Sequence, residues 1–374
     1  MPYGEIPMSS LLVFLLLQLF RQSPGSPPGG PTPDRLGPVT FAPGVRAQIF
    51  SDLVSFEGHR ILIQAGMARA MGYPGEPGLR GELAPQVLEE RLESKYILKK
   101  VSYVIDLPLG LSRGANPERI RAWLLIPNGI EPGKRRPAVL CLHQTNNIGK
   151  DEPAGLGGLP NLHIGKELAQ RGFVVLCPDY PSFGEYKYDF KHNPHVSGTI
   201  KAVTDNRRAL DYLQSLPEVD PTRIAAAGHS LGGHNALFTA AWDPRIKAVV
   251  TSCGFNRFAR YYGGNLKGWS SDRYMPRIGS EFGGAADRMP FDFPGVLALI
   301  APRPLFINAP INDSNFEVTG VRECVTPVSA VYRFLGSEKD LVAAYPDAGH
   351  DFPLEVRRKA WDFLETRLGK PGVP

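Results

Sequence analysis

Residues 223–238 read RIAAAGHSLGGHNALF, and the order of structural elements along the chain can be read outward from them. Ile224 to Ala227 form a short run of small and apolar residues, the pattern of a strand buried on both faces. The residues after Gly233 continue as HNALFTAAW, rich in alanine and leucine and suited to a helix. Between the two halves stands Ser230, with Gly228 and Gly232 two residues to either side and Gly233 next. A sharp strand-to-helix turn needs flanking residues without side chains so that the two elements can close on each other. The stretch predicts a buried strand, a tight turn with a serine at its tip, and a helix.

The surrounding sequence repeats this alternation. YILKKVSYVIDL (96–107) and RIRAWLLIP (119–127) alternate apolar and polar residues, as an antiparallel pair with one solvated face would. RPAVLCLH, GFVVLCPDY, RIAAAGHS, IKAVVTSCG, RPLFINAP and LVAAYPDAGH then follow as continuous apolar runs, suited to parallel strands covered on both faces. Helical stripes lie between and after them: Ile200, Val203, Leu210 and Leu213 in one segment, Leu354, Trp361, Leu364 and Leu368 in another. The pattern predicts an α/β fold with a mostly parallel, doubly wound sheet and helices on both faces, over residues 96–370. Residues 41–95 include the mostly helical-looking ELAPQVLEERLESKY (82–96) and are expected to form a helical extension across the outside of the sheet. An irregular insertion at 254–292, rich in Tyr, Trp, Arg and Gly, breaks the rhythm; loops this long in compact domains usually carry function.

The chain has 374 residues, 43% of them apolar and 21% charged, with a formal charge of +5, the balance of an ordinary globular protein. No basic run is interleaved with aromatics, so nucleic acid is not an expected partner. Ser9 to Phe20 resembles the apolar part of a secretion signal, too short to span a bilayer easily, and the Pro/Gly-rich residues 21–40 read as a linker. A secreted or periplasmic location is expected, with a cytoplasmic one as the alternative. Cys141 and Cys177 fall in strand runs, and Cys253 and Cys324 fit no metal spacing; one disulfide stays open as an option.

A Gly-x-Ser-x-Gly turn between strand and helix marks Ser230 as a candidate nucleophile. A serine hydroxyl needs a general base, and His350, after the last strand run, is the one histidine beyond residue 234. The imidazole needs an orienting carboxylate. Asp313, following RPLFINAP, is the candidate, with Glu317 as rival; Asp347 and Asp351 share the histidine's own loop. The chain order Ser230, Asp313, His350 is that of an α/β-hydrolase. The developing oxyanion would be held by the amide of Leu231, at the positive end of a helix, and by that of Thr145 or Gln144 in the loop after RPAVLCLH.

LCLHQTN, GKDEPAGLGG, PDYPSFG, GHSLGGHN, APRPLF and GHDFP together resemble the dienelactone hydrolase and acetyl xylan esterase-like branch of the α/β-hydrolases, over roughly residues 96–368. The resemblance implies an acyl-enzyme mechanism, no metal or organic cofactor, and a small-molecule ester as the partner. Serine replaces the cysteine of the dienelactone hydrolases at position 230, which argues for ordinary ester hydrolysis on short-chain or acetyl esters, sugar esters included. The elbow also differs from the G-C-S-R-x-G form of glucuronoyl esterases, so that substrate class is not expected.

Tyr261, Tyr262, Trp269 and Tyr274 are candidate pocket walls, or core packing for the insertion. Arg273 is a candidate ligand for a carboxylate or sugar hydroxyl. His143 and His229 are candidate wall residues. His192 and His195 with Asp189 do not make a convincing metal site, because Pro194 breaks the helical spacing that aligns two histidines. Gly155-Leu156-Gly157-Gly158 lacks the partners of a phosphate loop. A serine peptidase or amidase of the same fold is the enzymatic alternative, and a non-catalytic binding scaffold is the second.

Overall fold

The computed structural model describes residues 53–73, 81–105, 118–193 and 195–372. The signal-like segment and linker of residues 1–40 lie outside the described residues. Nine strands form one sheet: β1 (Gln86–Leu92), β2 (Tyr96–Val104), β3 (Arg119–Pro127), β4 (Arg136–Leu142), β5 (Val174–Pro178), β6 (Val219–His229), β7 (Ile246–Ser252), β8 (Leu305–Asn308) and β9 (Leu341–Ala344). Their spatial order is β1-β2-β3-β5-β4-β6-β7-β8-β9. The pairings from β1 to β5 are antiparallel; those from β5 through β4 to β9 are parallel. Every apolar run read as a parallel strand is one.

Helices cover both faces of the sheet. α1 (Leu53–Met71), α3 (Gly198–Ser215), α4 (Leu231–Trp242), α6 (Phe293–Ile300) and α7 (Val318–Phe334) pack on one side, and α2 (Ile164–Gln170) and α8 (Leu354–Leu368) on the other. The fully buried strand β4 shows why both layers are needed. Ala138, Leu140 and Leu142 face the layer that contains α1 and Val139 and Cys141 the layer of α2 and α8, because side chains alternate along a strand. α1 is the helical part of the expected extension, and Arg60 fastens it by donating to the carbonyls of Ala301 (2.8 Å) and Leu299 (3.1 Å) on α6's C-terminal side.

The helical reading of residues 82–96 is wrong for most of that stretch. Residues 86–92 are the edge strand β1, joined to β2 by a tight turn in which the Glu93 amide donates to the Tyr96 carbonyl (2.9 Å). All seven residues of β1 are exposed, so there is no buried stripe to favour a helix, and pairing with β2 satisfies the backbone. Glu90 lies opposite Lys99 and pairs with it at 3.2 Å. Charges at such an edge also discourage pairing with a second chain.

The insertion at 254–292 is irregular, as expected. It consists of short 3-10 turns and the single-turn helix α5 (Arg277–Ser280). Phe258 and Phe291 anchor it, each ring about one edge-on contact from Phe293 or from the other. Asp292 caps α6, accepting from the amides of Phe293 (2.7 Å) and Phe258 (3.1 Å). All four cysteines are buried free thiols. Among the described residues no helix is long and apolar enough to cross a membrane.

The core and the edge should respond differently to truncation. Leu140→Ala, fully buried in β4, is expected to cost about 2–5 kcal/mol. Leu92→Ala, on the exposed strand β1, should stay within about 0.5 kcal/mol of wild type. Chemical denaturation of the two variants checks the contrast.

Candidate active site

Ser230 ends the turn between β6 and α4 with φ 53° and ψ −119°, a conformation that L-residues rarely adopt. Its amide donates to the Ser252 carbonyl on β7 (2.8 Å), and its own carbonyl accepts from the His234 amide (2.9 Å). The glycines are a steric condition of this geometry. A Cβ on Gly228 would overlap the backbone of Gly232, and one on Gly232 would overlap the Leu142 carbonyl on β4. One on Gly233 would fall against Ser252 and Thr251 of β7.

Asp313 and His350 meet as expected. His350 Nδ1 lies 2.9 Å from Asp313 Oδ2 and 3.0 Å from Oδ1. The carboxylate also accepts from the amides of Asn315 (2.8 Å) and Phe316 (3.0 Å). Burial opposes its charge, but the bonds from His350 and from these amides hold it below the usual carboxylate range. A charged Asp313 assigns the proton to His350 Nδ1 and leaves Nε2 as the basic nitrogen. The imidazole lies beside the elbow: its ring is 4.9 Å from that of His229 and 5.8 Å from Phe316, which lines the same cleft as Ser230. Of the rivals, Glu317 is exposed and Asp347 accepts from Asn312 (2.7 Å). Asp351 accepts from the Asn161 side chain, and its carbonyl from Asn308 (2.9 Å).

His229, expected as a wall residue, is almost fully buried and does not line the cleft. Its Nδ1 shares a hydrogen bond with Ser252 Oγ (2.8 Å), and burial, then the neighbouring His350, push its pKa down to about 3. Among the described residues, one His/Cys/Asp/Glu cluster has its ligand atoms all within 4.8 Å, namely Cys253, Asp313 and His350. Two of the three are the acid–base pair itself. Burial, then the charge of Asp313, push the Cys253 thiol well up, so it is a neutral group and no rival nucleophile. His192, exposed, is bonded to Asp189 of its own loop at 2.6 Å.

The loop after β4 is held from behind by residues the sequence did not single out. Glu152, almost fully buried, accepts from Gln144 Nε2 (3.1 Å), Asn146 Nδ2 (2.6 Å) and the Leu159 amide (3.1 Å). Lys150, equally buried, pairs with Asp179 at 2.9 Å. His143 lies beneath this loop and does not line the cleft. It accepts the Tyr180 amide at Nε2 (2.9 Å), which places its proton on Nδ1, 2.6 Å from the Gln144 carbonyl. Burial lowers its pKa, which keeps it neutral. The run GKDEPAGLGG, set aside as a phosphate loop, is thus the brace of the loop carrying Gln144 and Thr145.

A cleft of about 270 Å³ opens at Ser230. Thr145, Leu231, Tyr261, Trp269 and Tyr274 line it as expected, joined by His234, Asn315 and Phe316, which sequence reasoning missed. Thr145 Oγ1 and the Tyr274 hydroxyl lie 3.0 Å apart. The position of His234, one turn after Ser230 on the same helix, was a signal that could have found it. Besides His143 and His229, two further expected residues stand elsewhere. Tyr262 is exposed, packs edge-on against Tyr261 and donates to Asn315 Oδ1 (3.0 Å). Arg273 points away from the cleft, its guanidinium 4.9 Å over the Phe183 ring, and it lines a separate shallow depression with Asp272 and Tyr188. The Tyr180 hydroxyl donates to the Arg273 carbonyl (2.5 Å), and the next residue, Tyr274, lines the cleft.

This fold, with a serine at the elbow and an Asp–His pair beside it, is that of an α/β-hydrolase, the class expected from the motifs. The chain belongs to the prolyl oligopeptidase family, whose model matches residues 163–370 and so includes Ser230, Asp313 and His350. It is 29% identical over 244 residues to a Bacillus subtilis (strain 168) protein named "Putative hydrolase YtaP", covering 62% of this chain and 74% of that one. It is 26% identical over 187 residues to the carbohydrate esterase MZ0003 of an unknown prokaryotic organism, with 44% and 42% covered. Against that second relative the chain spans less than half the length. Among solved structures, a glucuronoyl esterase from Solibacter usitatus shares the fold with a TM-score of 0.67 at 18% identity, covering 90% of this chain and 99% of that one. An acetyl xylan esterase from Paenibacillus sp. R4 shares it with a TM-score of 0.50 at 20% identity, covering 84% and 94%.

Gly232→Ala tests the steric reading of the elbow. The added methyl meets the Leu142 carbonyl, so the variant should lose on the order of 1–3 kcal/mol of stability, together with most of its reactivity toward serine-directed reagents. A variant as stable and as reactive as wild type would refute the close approach.

Proposed function

We propose that the protein is a serine carboxylic ester hydrolase that works through an acyl-enzyme, acting on short-chain or acetyl esters, those carried by sugars included. The observation that carries this reading is the Asp313–His350 pair beside a serine held in strained geometry at the mouth of a small cleft. The carbohydrate esterase among the relatives supports the sugar-borne class, as does a cleft near the small end of the range for organic ligands.

In the proposed reaction His350 Nε2 takes the proton of Ser230 Oγ as that oxygen bonds to the ester carbonyl carbon. The carbonyl oxygen becomes an oxyanion, held by the amide of Leu231 at the start of α4 and by that of Thr145, with Gln144 as the adjacent donor. The histidine returns its proton to the alcohol oxygen as the carbon–oxygen bond breaks. Water then repeats the sequence on the acyl-enzyme and releases the carboxylic acid. Asp313 stays ionised throughout and stabilises the imidazolium. The family's name keeps a peptidase or amidase as the second reading, since the same groups would cleave an amide.

Wild-type protein should hydrolyse p-nitrophenyl acetate and take up one fluorophosphonate label. Ser230→Ala should abolish both, and persistent labelling would sink the assignment. Asp313→Asn should lower kcat by roughly 10³–10⁴-fold with the fold intact, by analogy with other triads. Because Asp313 is depressed in the folded state, its contribution is complete above the unfolded value near 3.9 and is lost only as pH falls below it. A pH–rate profile should therefore show no limb from this group above about pH 4. Faster cleavage of an acyl anilide than of the matched ester would favour the peptidase reading.

A further inference from the structure

The cleft wall contains polar atoms that the mechanism above leaves without a use. His234 is almost fully buried on α4, and neither ring nitrogen has a hydrogen-bond partner among the described residues. Trp269 Nε1, also buried, is likewise without one. Both residues line the cleft that holds Ser230, and their ring centroids are 4.8 Å apart. Phe238 packs the His234 ring from another side, with centroids at 4.1 Å, and offers no hydrogen-bonding atom. Buried donors and acceptors left unpaired are costly and uncommon, so three in one small wall call for a partner.

The chemistry of that partner follows from the donor and acceptor count. Burial pushes the pKa of His234 down to about 3, so the ring is neutral at working pH and offers one donor and one acceptor. The indole adds one donor. The complement is therefore two acceptors and one donor, which a hydroxyl with a neighbouring hydroxyl or ether oxygen supplies. An alkyl chain supplies none of these. A carboxylate supplies acceptors only, and the described residues lining the cleft include no Lys or Arg to meet its charge.

The geometry points to His234 and Trp269 as the pair that reads a neutral, hydroxylated ring beside the ester, making this wall a polyol subsite. The inference rests on the esterase reading and names the residues through which a sugar-borne ester would be told from an alkyl one. The nitrogens are shut from solvent, so binding there requires the Trp269 indole, at the end of the 3-10 turn Leu266–Trp269, to turn when the ligand enters. Tyr261 and Phe316, with ring centroids 5.5 and 6.0 Å from that of Trp269, supply the apolar faces against which the ring's C–H groups pack.

The test compares two esters of similar ring size: a mono-O-acetyl methyl xylopyranoside and cyclohexyl acetate. Wild type should prefer the sugar acetate in kcat/KM by at least tenfold. His234→Phe and Trp269→Phe should each bring that ratio towards one. His234→Phe should also leave thermal stability unchanged or higher, because it removes unpaired buried polar atoms, whereas a purely structural histidine would lower it. If His234→Phe does not fold, Trp269→Phe carries the test. So does competitive inhibition of wild-type p-nitrophenyl acetate hydrolysis by methyl xylopyranoside. Equal kcat/KM for the two esters in wild type, or a ratio unmoved by the variants, overturns the inference and leaves the esterase reading standing. Failure of wild type to turn over any of these esters overturns both.

Discussion

The close crossing of β6 and α4 over the end of β4 is the constraint on which the site depends. Gly228, Gly232 and the Leu142 carbonyl occupy space that any side chain would need. That crossing forces Ser230 into a left-handed conformation and places its side chain at the end of the parallel strands. The strain is tolerable because the surrounding sheet holds the turn: the Ser230 amide is bonded to β7, and α4 is buried along its length. The same crossing puts the start of α4, the positive end of its dipole, next to the serine. The position of the serine and its strain therefore share one steric cause.

The surroundings of the serine are organised by groups whose charge state is held constant. His143, His229 and His234 are kept neutral by burial, and Asp313 is kept ionised by three hydrogen-bond donors. His350, by contrast, is part-exposed and bonded to Asp313. The loop opposite is braced by Glu152 and by the Lys150–Asp179 pair, which spares it reorganisation when charge develops. Such buried ion pairs add little net stability on average, but removing one partner would leave an uncompensated charge next to the site.

Much of this was legible along the chain. The steric signature around Ser230 needs no partner from elsewhere, and unbroken apolar runs mark strands buried on both faces. The order of strand ends then brought Asp313 and His350 together without any knowledge of distances. Residues 86–92 were misread because their alternation of charges and leucines suits an exposed helix as well as an edge strand, and only pairing with β2 decides between them. Arg273 and Tyr274 are adjacent in sequence but face opposite ways, one over Phe183 and one into the cleft. The insertion has no periodicity from which those directions could be read.

The sequence by itself determined the order of elements, the turn at Ser230 and the pairing of Asp313 with His350, because each depends on local sterics or on the topology of a parallel sheet. Tertiary structure alone decided what braces the loop after β4 and what lines the cleft. Glu152 acts on Gln144 and Asn146, and His234 on whatever enters beside Trp269, through contacts made across a packed interior. Burial there turns ordinary polar side chains into fixed, neutral or paired groups. No residue type or spacing announces that change, because it arises from what the folded chain removes from water.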